Sequence, residues 1–104
     1  MHFQTLLPAA VLLLATTVQG AHITWKRHST NTCNDSGGQW HQATPGQCNA
    51  LSETDRAIEI YVDDRNCNFV AYANQGCTGA VQHKYHGRGC HDMRSNDWSL
   101  RMEC

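Results

Sequence analysis

The residues able to do chemistry are histidines, carboxylates and tryptophans, and their spacing decides what can be asked of them. His41, Glu59 and His91, with Arg88 or Arg101, supply the base, the acid and the phosphate-binding guanidinium that a ribonuclease needs. Glu59 lies between Ile58 and Ile60, so strand alternation sets its carboxylate on the face opposite those apolar side chains. No motif surrounds the trio, and six histidines with three glutamates beyond residue 20 yield such a set by composition alone. No catalytic residue is assigned and no enzymatic activity is expected; a ribonuclease-like hydrolase is the alternative. His83-Lys84-Tyr85-His86 with His91 offers imidazoles to a metal, but His83 and His86, three apart on a strand, point to opposite faces. No metal and no cofactor is expected. Asp63-Asp64 with Asp55 reads as a set of solvated turn carboxylates.

The tryptophans carry more. Trp25, Trp40 and Trp98 are more than a thin core fully hides, so two are expected inside and one partly outside. Trp40, beside the Gly37-Gly38 turn, is the expected exposed ring, able to anchor a partner protein or stack on a sugar. A second candidate surface is the Asn74–Gly79 segment, with Asn74 and Gln75 as binding residues and Cys77 as its fixing point. A protease inhibitor would need such a rigid loop.

Those residues must be positioned by a small chain. Residues 1–20 hold an apolar run, Leu6 to Val18, ending in Val18-Gln19-Gly20, the small-residue signature of signal-peptide cleavage. The run is too short for a membrane span, and none is expected. Residues 21–104 then form a single domain of about 84 residues that holds all six cysteines, Cys33, Cys48, Cys67, Cys77, Cys90 and Cys104. An even cysteine count in a short secreted chain implies disulfides, because so small a domain buries too little apolar surface to stand unaided. Zinc is set aside, since no C-x2-C pair occurs. Asn34-Asp35-Ser36 is a sequon, so Asn34 is a candidate glycosylation site in a polar loop. Eight basic against nine acidic residues give a formal charge of −1 with neutral His. That balance argues against nucleic acid as a partner, which demands a basic face.

The chain also repeats itself. Cys48-Asn49-Ala50-Leu51 through Asp55 runs into Arg56-Ala57-Ile58-Glu59-Ile60, and 42 positions later Cys90-His91-Asp92-Met93 through Asp97 runs into Trp98-Ser99-Leu100-Arg101-Met102. Leu51 matches Met93, Asp55 matches Asp97, and Ile58 and Ile60 match Leu100 and Met102. Two halves, about 21–66 and 67–104, follow from this offset. The repeat suggests Cys33–Cys48 and Cys77–Cys90 within the halves and Cys67–Cys104 tying the link to the last strand. A symmetric rival is Cys33–Cys77 with Cys48–Cys90. Alternation predicts strands at 21–26, 57–62, 80–85 and 98–104, the Gly37-Gly38 turn leads into another at 39–43, and Phe, Val and Tyr mark one at 68–73, within a total of seven or eight. Leu51 to Asp55 reads as a polar link. No helix longer than a turn is expected, so the class is all-β, a small disulfide-stapled sandwich.

Tyr72-Ala73-Asn74-Gln75-Gly76-Cys77-Thr78-Gly79 resembles the aromatic, six residues, glycine pattern of a βγ-crystallin Greek-key motif. The resemblance implies an aromatic ring packed over a folded hairpin whose glycine takes a conformation other residues resist. Trp98-Ser99-Leu100-Arg101-Met102 is similar to the last strand of such a motif, and two four-stranded motifs would account for the repeat. After Trp25 no glycine stands at the matching place, and an insertion with Cys33 intervenes. The calcium pattern of crystallin-like proteins is incomplete: Asn96-Asp97-Trp98-Ser99-Leu100 lacks its closing serine, and Ser52 to Ile58 does not match. Calcium is not expected. The whole precursor resembles the small secreted cysteine-rich proteins of filamentous fungi, a group that includes candidate effectors and killer-toxin-like antimicrobial proteins. That resemblance implies a secreted, extracellular, non-enzymatic protein acting on another organism or its surface; a monomer that binds a host or competitor protein or glycan is expected.

Overall fold

The computed structural model describes residues 20–93 and 96–104. The expected leader, residues 1–20, lies outside the described residues except for Gly20. Among the described residues there is no helix, and eight strands follow one another: β1 (Ile23–His28), β2 (His41–Ala43), β3 (Cys48–Ala50), β4 (Ala57–Val62), β5 (Asn68–Asn74), β6 (Thr78–Tyr85), β7 (Gly89–Asp92) and β8 (Ser99–Glu103). They form two antiparallel sheets of four strands, ordered β2-β1-β4-β7 and β3-β8-β5-β6. The sequence offset reappears as geometry. Trp25 pairs with Ile60, and Phe69 pairs with Met102 in the same way; His28 faces Ala57 as Tyr72 faces Ser99.

Alternation decides which side chains enter the core. Ile23 and Trp25 of β1, Ile58 and Ile60 of β4, Phe69 and Ala71 of β5, and Leu100 and Met102 of β8 all meet between the sheets. Trp25 is 1% exposed and packs edge-on against Phe69 at 5.3 Å, across the sandwich. Leu51 and Met93, the matched apolar anchors, close the same core. The matched aspartates are used differently: Asp55 accepts the backbone N–H of Ser52 at 2.9 Å, while buried Asp97 accepts the Tyr85 hydroxyl at 2.6 Å.

Strands β3 and β7 were not among the six that the sequence located, because three and four residues are too few to show a period. They matter most to the topology. Each leaves its own half: β3 pairs with β8 in the second half's sheet, and β7 pairs with β4 in the first half's. The exchange corrects the expected disulfides. The bridges are Cys33–Cys90, Cys48–Cys77 and Cys67–Cys104. Cys67–Cys104 is as expected, whereas Cys33–Cys48 and Cys77–Cys90 are not formed, nor is the rival Cys33–Cys77 with Cys48–Cys90. The physical reason is that Cys48 and Cys90 travel with the exchanged strands, so each meets the loop cysteine of the other half. The pattern stays symmetric. Cys33 and Cys77 both take left-handed backbone, with φ of 57° and 56°. Their sulfurs lie 3.8 Å from the Ile58 carbonyl and 3.4 Å from the Leu100 carbonyl, again 42 positions apart.

Candidate functional site

The two folded loops differ in what they cover. In the second half Val70, Tyr72 and Cys77 make a buried apolar cluster on the outer side of the second sheet. Gly79 has φ +82°, and a Cβ there would come within 2.6 Å of the Asn74 amide, so glycine is required. Arg101 Nη2 donates to the Tyr72 hydroxyl at 2.8 Å and to Glu103 at 2.7 Å, and the same hydroxyl donates to Glu103. Those two donors hold the Glu103 carboxyl below its ordinary range. The hydrogen bond to Glu103, with burial behind it, raises the Tyr72 phenol.

In the first half the position of Tyr72 belongs to His28, not to Trp25. The partner glycine is Gly37, at φ +75°, where a Cβ would lie 2.7 Å from the His28 ring. The loop is two residues longer, which is why spacing alone did not reveal the pair. His28 is 2% exposed, and its Nδ1 and Nε2 lie 2.8 Å from Asp35 Oδ1 and from Glu59 Oε1. An ionised carboxylate only accepts, so with both ionised each ring nitrogen donates. Desolvation works against ionisation of Asp35, but donors from Thr30, the Ser29 backbone and His28 outweigh it and hold the carboxyl far below its ordinary range.

These directions set the acid response. A carboxyl made more acidic by folding stabilises the folded state while the pH is above its unfolded value, and that contribution is lost as pH falls toward the folded one. Asp35 and Glu103 both shift this way. The melting temperature is therefore expected to fall below about pH 4. A thermal melt series from pH 7 to 2 checks this, and a level profile to pH 2 would contradict it.

Next to this loop lies a surface that the sequence only half revealed. Trp40 is 44% exposed, as expected, and Tyr61 is 58% exposed; their rings are 5.5 Å apart. Lys26 Nζ sits over Trp40 at 4.5 Å, and the Arg88 guanidinium over Tyr61 at 5.6 Å. Strand order explains the row. Trp40 precedes β2, Lys26 is on β1, Tyr61 on β4, and Arg88 precedes β7, so aromatic and cation alternate across the first sheet. Lys26 stands where the second half buries Val70, which leaves this face open. Alternation in 57–62 did set Tyr61 opposite Ile58 and Ile60; the neighbours that complete the row come from other strands.

The remaining candidates are dispersed. Glu59 engages His28, not His41 or His91. His41 is exposed beside Trp25, at 5.5 Å between rings, and His91 donates from Nε2 to the Gly87 carbonyl at 2.7 Å. His28, fully hidden with both nitrogens engaged, is no base for an incoming substrate. Asn74 is exposed, and its carbonyl accepts the Ser99 hydroxyl at 2.6 Å, while the Gln75 amide donates to the Leu51 carbonyl at 3.0 Å. Asn34 is exposed, and its side chain accepts the Thr30 hydroxyl at 2.9 Å. Trp98 is half-buried. Among the described residues no three His, Cys, Asp or Glu side chains group as a metal site, and no helix is long and apolar enough to cross a membrane. An open polar cleft of about 380 Å³ lies beside the long loop, lined by Arg27, Asp35, Thr54 and Asp55 among others. Its carboxylates already serve the fold: Asp35 holds His28, and Asp55 caps its turn.

The chain is thus a small cysteine-rich all-β domain with three disulfides and an exposed aromatic–cation row. No protein-family model, curated protein or solved structure matches it.

Proposed function

We propose that this is a secreted, non-enzymatic binding protein, of the effector or toxin-like kind, acting on a host or competitor protein or surface. The observation that carries the reading is the exposed Trp40–Tyr61 pair. A domain this short on core leaves two large rings in solvent at the cost of their burial, and rigid amphipathic rings are what binding surfaces use as anchors. Three disulfides in so small a domain are consistent with an extracellular protein. The dispersal of His41, Glu59 and His91 favours binding over hydrolysis. For the scaffold we propose two βγ-crystallin-like Greek-key motifs. The exchanged third strands and the two glycine-locked loops, Tyr72 with Gly79 and His28 with Gly37, support that reading.

Capture from extracellular fluid of a candidate host or competitor, with the oxidised protein and a Trp40→Ala variant side by side, tests the function. The expected result is a specific partner whose retention falls about tenfold or more in the variant. Turnover of RNA by the purified protein, abolished by His41→Ala, would replace binding with catalysis.

A further inference from the structure

Resting on that binding reading, we propose that the row Trp40–Lys26–Tyr61–Arg88 takes an acidic polysaccharide whose sugars carry ring-attached carboxylates, a uronic-acid chain. Two exposed aromatic faces 5.5 Å apart suit flat sugar rings better than one deeply inserted side chain. Their planes are inclined by 47°, so successive sugars would turn as they cross the twisted sheet. The cations give the sign of the ligand. Lys26 and Arg88 sit within 4.5 and 5.6 Å of the ring centroids, close enough to reach an acid group fixed directly to a stacked sugar. Lys26 donates to the Ser36 carbonyl at 3.0 Å, so its ammonium is held in place rather than sweeping through solvent. Among the described residues neither cation has a carboxylate within 4.0 Å. Glu59, which faces Lys26 in register, has one oxygen committed to His28.

A nucleic acid would use the same elements, stacking and cations, but it is the poorer fit. Its affinity comes mainly from many phosphate neutralisations. This chain carries a net charge of −1 and offers two cations in the row. A uronate chain needs only sparse charge pairing beside its ring stacking.

Titration calorimetry of the oxidised protein with oligogalacturonate, its methyl ester, dextran sulfate and poly(U) is the test. Oligogalacturonate is expected to bind at least about tenfold tighter than the ester. Trp40→Ala and Tyr61→Ala should each weaken it about tenfold, and Lys26→Gln/Arg88→Gln should weaken it and flatten its salt dependence. Unchanged melting temperatures in these surface variants would show that the loss is local. Equal binding of acid and ester, tighter binding of dextran sulfate or poly(U), or indifference to the aromatic substitutions overturns the inference. A protein partner that needs Trp40, with oligogalacturonate ignored, sinks the inference alone; loss of both sinks the binding reading as well.

Discussion

Replacing Cys33 and Cys90 together by alanine is expected to destabilise the domain by about 4 kcal/mol, and Cys48 with Cys77 by slightly less. The order follows from loop length. The bridges span 57 and 29 residues, and the unfolded chain gains more freedom when the longer loop is released. Both links also join the halves, since each ties a loop cysteine to the strand received from the other half. With small domains stable by roughly 5–15 kcal/mol, either loss leaves a marginal fold. Denaturant unfolding of the two double variants reads the effect. Peptide mapping of the unreduced protein reads the pairing, and recovery of Cys33 joined to Cys48 would overturn the exchanged topology itself.

His28→Ala is expected to cost about 3 kcal/mol, more than any other single polar change in the first half. Removal of the ring takes the hydrogen-bond partner from between two carboxylates and leaves a gap under Gly37. Fully buried pairs lose more on truncation, but the Asp35 and Glu59 side chains are 24% and 36% exposed, so water relieves part of the cost. Glu59→Gln should cost clearly less, since the amide oxygen can still accept from Nε2. In the double variant the costs should not add, because the second change removes a carboxylate that the first had orphaned. Chemical denaturation of the three variants decides the matter. A His28→Ala protein as stable as wild type would mean that Cys33 and the remaining loop hydrogen bonds hold the loop without the ring.

The contrast between the halves explains why one site was legible and the other was not. Tyr72 and Gly79 stand at a recognisable spacing, and the structure uses them to cover an apolar cluster. In the first half the same position holds His28, the glycine stands two residues further on, and Lys26 replaces Val70 beneath the loop. A search for an aromatic at that spacing passes over histidine and settles on Trp25, which belongs in the core. Trp40 was legible as an exposed ring because it follows a glycine turn outside a clear apolar period. Lys26 and Arg88 were not, since nothing in their local sequence says which ring each will reach.

Sequence alone determined the strand class, the inward residues of β1, β4 and β8, the 42-residue offset, the exposed Trp40 and the existence of a disulfide framework. Each of these rests on near-neighbour periodicity, on a fixed offset or on composition, all of which survive in one dimension. Tertiary structure decided the exchange of β3 and β7, two of the three disulfide pairings, the carboxylate clamp on His28 and the aromatic–cation row. These depend on which strand lies beside which, and so short a strand has no local signal strong enough to choose its sheet. The choice falls to the shared core, in which Leu51 and Met93, directly after β3 and β7, are buried.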